Sequence, residues 1–220
     1  MPRLTKEEIR HHRRWLGKWR KAPEMLGYAN GLMNGMANQH GIDVDLFTQA
    51  GVDFITEAGA AADFAEARGA DGVRLILEDW PDLEFRFGQR VERFEFTEAD
   101  EIGRERGREY KEAAGRVAAG GAARKDDAVE DWVARANQVP IVLRDRATRK
   151  AGKAYPPGTN LLIYLNINEF GIRQPEIEAC MADATAPAKD AFAAVWALWK
   201  GQAYHLWQDG YAVRSGDGSS

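Results

Sequence analysis

Two short runs of alternating apolar and polar residues, joined by a turn, constrain this chain more than any other feature. In the first run Phe85 and Phe87 alternate with charged residues, and in the second run Phe94 and Phe96 alternate with polar ones. A period of two is typical of a strand with one buried face. The three residues between the runs, 88–90, begin with a glycine and supply the turn. The pattern therefore predicts a β-hairpin.

This hairpin brings two carboxylates toward the same end of a sheet. Asp82 lies where the first strand begins, and Glu95 lies inside the second strand. Two converging carboxylates can hold a hard divalent cation such as Mg²⁺, and a metal held in this way commonly serves phosphodiester hydrolysis. Each acid also has an ordinary interpretation, because Asp after Pro is common in turns and a strand Glu often faces solvent. The sequence leaves both interpretations open.

The segment Pro81-Asp82, a hairpin and then Glu95-Phe96-Thr97 resembles the PD-(D/E)xK nuclease superfamily, which has the restriction-endonuclease-like fold. The resemblance covers roughly residues 45–214. It implies that Asp82 and Glu95 hold Mg²⁺ or Mn²⁺ and that a lysine positions or activates the attacking water. Thr97 stands where the superfamily has this lysine. Superfamily members often carry an extra acid on the preceding helix, which makes Glu57 a third candidate ligand, although a surface Glu is the simpler interpretation.

Residues further along the chain are candidates for the positive charge that Thr97 does not supply. Lys150 and Lys153 lie in a predicted helix before an apolar strand, and a lysine supplied from there would resemble the migrated-lysine variants of the superfamily. Arg149, on the same helix, is a candidate contact to a nucleic-acid backbone. The alternative is a solvated helix end, where Lys and Arg are favourable because of the helix dipole.

The amino-terminal residues are strongly basic. Residues 1–22 contain eight Lys or Arg and two Glu, a net charge of +6, so the other 198 residues carry −10 of the total of −4. Such asymmetry suggests an arm that binds DNA or RNA, with Trp15 stacked on a base. Alternatively the charges form a solvated face of a predicted N-terminal helix, and Trp15 docks this helix on the body of the protein. The candidate nucleic-acid contacts on this helix are Arg10, Arg13, Arg14 and Lys18.

The rest of the pattern predicts an α/β protein with a mixed sheet flanked by helices. The unbroken apolar run at 161–165 indicates a central strand buried on both faces. We expect a helical break at Gly120-Gly121, a restart at Val139-Pro140, a helix over 187–200 and a terminal hairpin. The expected organisation is a basic N-terminal helical segment at 1–44, a restriction-endonuclease-like domain at 45–214 and a flexible tail at 215–220.

The distribution of apolar residues indicates in which compartment the protein is expected. No apolar run reaches the ~18 residues that a membrane span requires, and the amino terminus lacks an apolar signal segment, so we expect a cytoplasmic protein without a membrane partner. Tyr204 and Trp207 either pack in the core or form a homodimer interface. The favoured function is a metal-dependent nuclease, active or catalytically degenerate. The alternative is a non-catalytic module that binds nucleic acid or protein.

Overall fold

The computed structural model describes residues 4–40, 51–77, 80–121 and 128–213. These residues contain six α-helices and a seven-stranded mixed sheet, so the predicted α/β class is confirmed. The helices are α1 (Lys6–Leu16), α2 (Ala22–His40), α3 (Phe54–Ala67), α4 (Arg106–Ala118), α5 (Val129–Ala151) and α6 (Gln174–Thr185). The strands are β1 (Gly72–Leu75), β2 (Leu83–Phe87), β3 (Arg90–Asp100), β4 (Asn160–Asn166), β5 (Ala194–Trp199), β6 (Gln202–Gln208) and β7 (Tyr211–Ala212).

The strands lie in the sheet in the order in which they occur in the chain. β1, β2 and β3 pair antiparallel, and so do β5, β6 and β7. β4 pairs parallel with both β3 and β5 and therefore forms the centre of the sheet. Leu161, Leu162 and Ile163 on β4 are fully buried. The prediction of a central strand at 161–165 is confirmed.

A hydrophobic core lies on each face of the sheet. The first core joins α1, α2 and α3 to the sheet and includes Phe64, Phe85 and Phe94, whose rings pack edge to face. The second core joins α5 and α6 to the opposite face and includes Leu143 and Met181. Because side chains alternate along a strand, β3 sends its phenylalanines into the first core and Glu95 toward the second.

The N-terminal helices are part of the first core. Thr5 and Glu8 form a capping box at the start of α1, in which each side chain accepts a hydrogen bond from the other residue's backbone. Leu16 and Met25 are fully buried in the first core. Arg20 exchanges two backbone hydrogen bonds with Val73 of β1, with lengths of 3.0 and 2.8 Å. The proposed boundary at residue 44 lies outside the described residues and stays a prediction.

The predicted helix over 187–200 is wrong. A short 3-10 helix (Ala186–Ala188) is followed by β5. Trp199 and Val195 face the second core, whereas Leu198 faces the first. A short apolar run without alternation fits a buried helix and a two-sided strand equally well, and here pairing with β4 and β6 decides for the strand.

The predicted helix restart at Val139-Pro140 is also wrong, because Pro140 lies inside α5. Val139, Val142 and Leu143 are buried in the second core on both sides of the proline. This burial outweighs the single backbone hydrogen bond that proline removes. The break at Gly120-Gly121 is confirmed, since α4 ends at Ala118 and Gly120 adopts a φ of 80°.

The terminal hairpin forms between β6 and β7. Its aromatic residues pack on α6: the hydroxyl of Tyr204 donates to Glu178, and the indole of Trp207 donates to the backbone oxygen of Ala182. Both side chains contact the second core. The predicted tail at 215–220 lies outside the described residues. Over the ranges that are described, no helix combines the length and apolarity needed to cross a membrane.

Candidate active site

Asp82 is fixed by two hydrogen bonds to β3 and by a third to Ile76, the residue after β1. Its backbone N–H donates to the oxygen of Phe94 over 3.1 Å, and its backbone oxygen accepts from Ile76. Its Oδ2 accepts the backbone N–H of Phe96 over 2.7 Å. Because Phe94 and Phe96 flank Glu95, these bonds hold the Asp82 carboxylate beside Glu95. The predicted convergence of the two acids is therefore present in the structure.

Glu95 is 7% exposed and lies on β3, on the face that carries α5. Its Oε1 accepts hydrogen bonds from Lys150 Nζ, in an ion pair, and from the hydroxyl of Tyr155 over 3.1 Å. Lys150 lies in the last turn of α5, and Tyr155 lies in the loop that leads to β4. Two donors thus fix one oxygen of this buried carboxylate.

Asp82, Glu95 and Glu57 form an acidic cluster, which Glu57 joins from the first turn of α3. Burial, followed by the negative charges of Asp82 and Asp53, raises the pKa of Glu57 from 4.5 to about 7. The positive charges of Arg13 and Lys150 partly oppose this rise. Burial also raises the pKa of Asp82, and the charge of Glu95 adds to the effect. Burial and neighbouring negative charges therefore both disfavour the ionised forms of Glu57 and Asp82.

The other sequence-predicted residues have distinct surroundings. Lys150 is largely buried on Glu95, whereas Lys153 is exposed and acts on Asp82 through its charge alone. Thr97 is half-buried on the same face of β3 as Glu95. The structure therefore brings Lys150, rather than Lys153, into direct contact with the acidic pair.

Tyr155 belongs to the site, and the sequence did not reveal it. Its ring packs on Phe192 with centroids 5.0 Å apart. Burial and the charge of Glu95 raise the pKa of the Tyr155 hydroxyl, so this group stays protonated and donates. The sequence offered only the position of Tyr155 as an indication, two residues beyond Lys153 and five residues before the central strand. Position alone does not show that a tyrosine points back at Glu95.

The basic residues of α1, together with Lys18 just beyond its end, lie on the surface. Arg10, Arg13, Arg14 and Lys18 are exposed, and the charge of Arg13 acts on Glu57. The exposed Arg149 pairs with Asp145 on α5. Of these residues, Arg13 is therefore the one whose charge reaches the acidic residues of the site.

Trp15 docks α1 on the body of the protein. Its ring stacks on Tyr28 with centroids 3.8 Å apart, and the Arg20 guanidinium lies over it at 4.0 Å. The docking alternative for Trp15 is therefore confirmed.

The donor set suits a hard divalent cation better than a soft metal, because Asp82 and Glu95 offer carboxylate oxygens. The pKa of Asp82 is raised mainly by burial and further by the charge of Glu95, and a cation between the two carboxylates would relieve the repulsion. Among the residues that the structure describes, no group of three or more His, Cys, Asp or Glu is arranged to hold a metal. Asp82 and Glu95 would therefore be the protein ligands of such a cation, and the structure does not bring the predicted third ligand, Glu57, into one metal-binding group with them.

Comparisons with known protein families, with curated proteins and with solved structures found no match to this chain.

Proposed function

We propose that this protein is a Mg²⁺-dependent nuclease with a restriction-endonuclease-like core. The observation that carries the proposal is the contact between Lys150 and Glu95, beside an Asp82 carboxylate fixed by the Phe96 N–H. Lys150 supplies, from α5, the positive charge that Thr97 lacks. The chain order α3, β1 to β3, α4, α5 and β4 also supports the proposal, because it contains the helix, acidic hairpin, helix and buried strand that the resemblance implies, with α4 as an additional helix.

Each side chain then has a role. Asp82 and Glu95 would hold Mg²⁺ or Mn²⁺, which supplies Lewis-acid chemistry for the attack of water on phosphorus. Lys150 places a fixed positive charge where negative charge develops on the phosphate. Tyr155 orients Glu95 through its hydrogen bond. Exposed Arg10 and Arg14 on α1, and Lys18 just beyond its end, would hold the backbone of DNA or RNA.

The second candidate is a non-catalytic binding module with the same fold. The Lys150–Glu95 ion pair also favours this candidate, because it neutralises Glu95 without a metal. Metal binding distinguishes the two candidates, since the nuclease requires a divalent cation at Asp82 and the module does not.

We predict that Asp82→Ala abolishes metal binding and lowers cleavage by at least about 100-fold, because the charge that would hold the cation is lost. Calorimetry with Mg²⁺ and Mn²⁺, and cleavage assays on duplex DNA, single-stranded DNA and RNA, measure both effects. Glu66→Gln, which changes an exposed carboxylate on α3, is the matched control and keeps wild-type behaviour. A circular dichroism spectrum confirms that each variant is folded. Cleavage by Asp82→Ala at the wild-type rate would contradict the site assignment.

A further inference from the structure

A polar cavity lies on the face of the sheet opposite to Glu95. Its volume is about 370 Å³, and its lining includes Arg68 at the end of α3 and Glu92 near the start of β3. Glu92 precedes Glu95 by three residues, roughly 10 Å along the strand, and alternation places the two side chains on different faces. The cavity is therefore separate from the acidic cluster.

A β-bulge shapes this cavity. Val195 pairs with Trp207 and Trp196 pairs with His205, so Leu206 has no partner on β5. Leu206 and Trp207 consequently both face the second core. The bulge turns His205 and Gln208, which a regular strand would place on opposite faces, into the same cavity. Bulges of this kind are enriched beside functional sites, where they re-aim side chains.

The Arg68 guanidinium is held in place by aromatic rings. The His205 ring lies parallel to Trp196 with centroids 3.9 Å apart, and Arg68 Cζ lies 4.0 Å from the Trp196 centroid. Because the imidazole covers one face of the indole, the guanidinium lies over the other face. Arg68 is also 4.8 Å from the Phe87 ring. Its position therefore does not depend on a single ion pair.

The cavity carries unbalanced positive charge. Glu92 pairs with both Arg68, at 3.3 Å, and Arg90, at 2.9 Å, so one carboxylate serves two guanidinium groups. Burial lowers the pKa of Arg68 despite the nearby Glu92. Burial also lowers the pKa of His205, and the charge of Arg68 lowers it further. His205 Nε2 is buried and has no hydrogen-bond partner among the residues that the structure describes.

We propose that this cavity binds a small organic anion, whose phosphate or carboxylate group is held by Arg68 and Arg90. Guanidinium groups recognise both kinds of anion with paired hydrogen bonds. His205 Nε2 and the amide of Gln208 contact the remainder of the ligand. The volume exceeds the needs of an inorganic ion and falls within the usual ~300–1,000 Å³ of small-molecule sites. The site does not depend on the proposed nuclease activity.

The test is calorimetry on the full chain without divalent metal, with adenosine 5′-monophosphate, succinate and inorganic phosphate as probes. We expect one of the two organic anions to bind with a Kd below about 1 mM. The nucleotide tests the phosphate form of the ligand and succinate tests the carboxylate form. Failure of both organic anions, or binding of inorganic phosphate alone, overturns the proposal.

Three variants test the assignment of residues. Arg68→Gln is expected to weaken binding at least about tenfold, because a buried charge-assisted contact is lost. Glu92→Gln is expected to tighten binding severalfold, since it removes the carboxylate that competes with the ligand. Arg93→Gln, which changes an exposed arginine paired with Glu84, is the control and leaves affinity unchanged. Weaker binding by Glu92→Gln, or equal losses in the Arg68 and Arg93 variants, would overturn the assignment.

Asp82→Ala separates this proposal from the proposed function. The variant lacks the acidic pair on the other face and is expected to bind the anion as the wild type does. A chemical-shift change at the His205 imidazole on titration with the anion places the ligand in the cavity. No change at His205 upon saturation contradicts that location.

Discussion

The carboxylate of Glu95 is asymmetric in its surroundings. Its Oε1 accepts from Lys150 and from Tyr155, whereas no described residue donates to its Oε2. In the proposed nuclease, Oε2 would therefore be the oxygen of Glu95 that binds the cation. At the scale of single residues, the proposed nuclease therefore gives Lys150 a role beyond that of a structural ion-pair partner.

We predict that Lys150→Met lowers cleavage by at least about 100-fold and that Lys153→Met changes it less than about threefold. Lys150 contacts Glu95 with a side chain that is 15% exposed, whereas Lys153 is exposed and acts only at a distance. Single-turnover cleavage at saturating Mg²⁺ measures both variants. Equal losses in the two variants would show that position 150 has no special role.

The stability of the Lys150 variant needs its own control. Removing the lysine leaves a buried Glu95 carboxylate without its cation, which costs about 3 kcal/mol of the free energy of unfolding. The double variant Glu95→Gln, Lys150→Met removes both charges and is expected to recover most of this loss without recovering cleavage. Recovery of cleavage in the double variant would separate the reaction from the ion pair.

We predict that Glu57 makes the protein less stable as the pH rises. Its pKa is about 7 in the folded protein and 4.5 ordinarily, so between these values the folded state binds more protons than the unfolded state. Stability therefore falls from pH ~4.5 to ~7, and the loss, about 3 kcal/mol, is complete above pH 7. Glu57→Gln removes the penalty and is more stable than the wild type at pH 8.

Urea unfolding of both proteins at pH 5, 6, 7 and 8, without divalent metal, measures this difference. Other titrating groups, such as Asp63, are present in both proteins, so their contributions largely cancel. The gap between the two stability curves should widen with pH and then level off. Parallel curves would show that Glu57 ionises normally in the folded protein.

At the scale of elements, alternation was the most reliable local pattern, whereas unbroken apolar runs predicted the strand β4 correctly and the strand β5 wrongly. The hairpin of β2 and β3 has the alternation that one-sided burial produces, so its acids could be placed from sequence. β5 is buried on both faces by partners outside its own segment, and its apolar run therefore does not distinguish strand from helix. The predicted helix restart at Val139-Pro140 was wrong for a related reason. Packing against distant residues keeps α5 continuous through the proline.

The candidate site contains one pair of residues that local geometry brings together and two further residues that only long-range packing brings to it. Asp82 and Glu95 lie 13 residues apart on one hairpin, and their convergence follows from local geometry. Lys150 and Tyr155 reach Glu95 from 55 and 60 residues away. Long-range packing, including the parallel pairing of β3 with β4, brings the end of α5 beside the hairpin. The sequence could name Lys150 as a candidate through resemblance, but it could not choose it over Lys153.

At the scale of the whole molecule, the first core is shared by the N-terminal helices and the sheet. Met25 on α2 is fully buried with Phe64 and Phe85. We predict that Met25→Ala lowers the free energy of unfolding of the entire protein by about 3 kcal/mol, because it leaves a cavity in this core. Urea unfolding followed by far-UV circular dichroism and by tryptophan fluorescence measures the change.

Asn30→Ala, which changes an exposed position of α2, is the control and should alter stability by less than about 0.5 kcal/mol. Both probes should report one shifted transition for Met25→Ala. A new early transition with an unchanged main one would show that the N-terminal helical segment unfolds independently of the sheet.

The strands of the sheet pair in chain order, each with the strand before it. No finished pair has to reopen to admit a later strand, even at the two parallel junctions around β4. As the chain leaves the ribosome, each new strand can dock on an edge that is already complete, and that edge is covered again when the next strand arrives. The nascent protein would then expose a single growing edge at a time, which limits its opportunity to pair with other chains during synthesis.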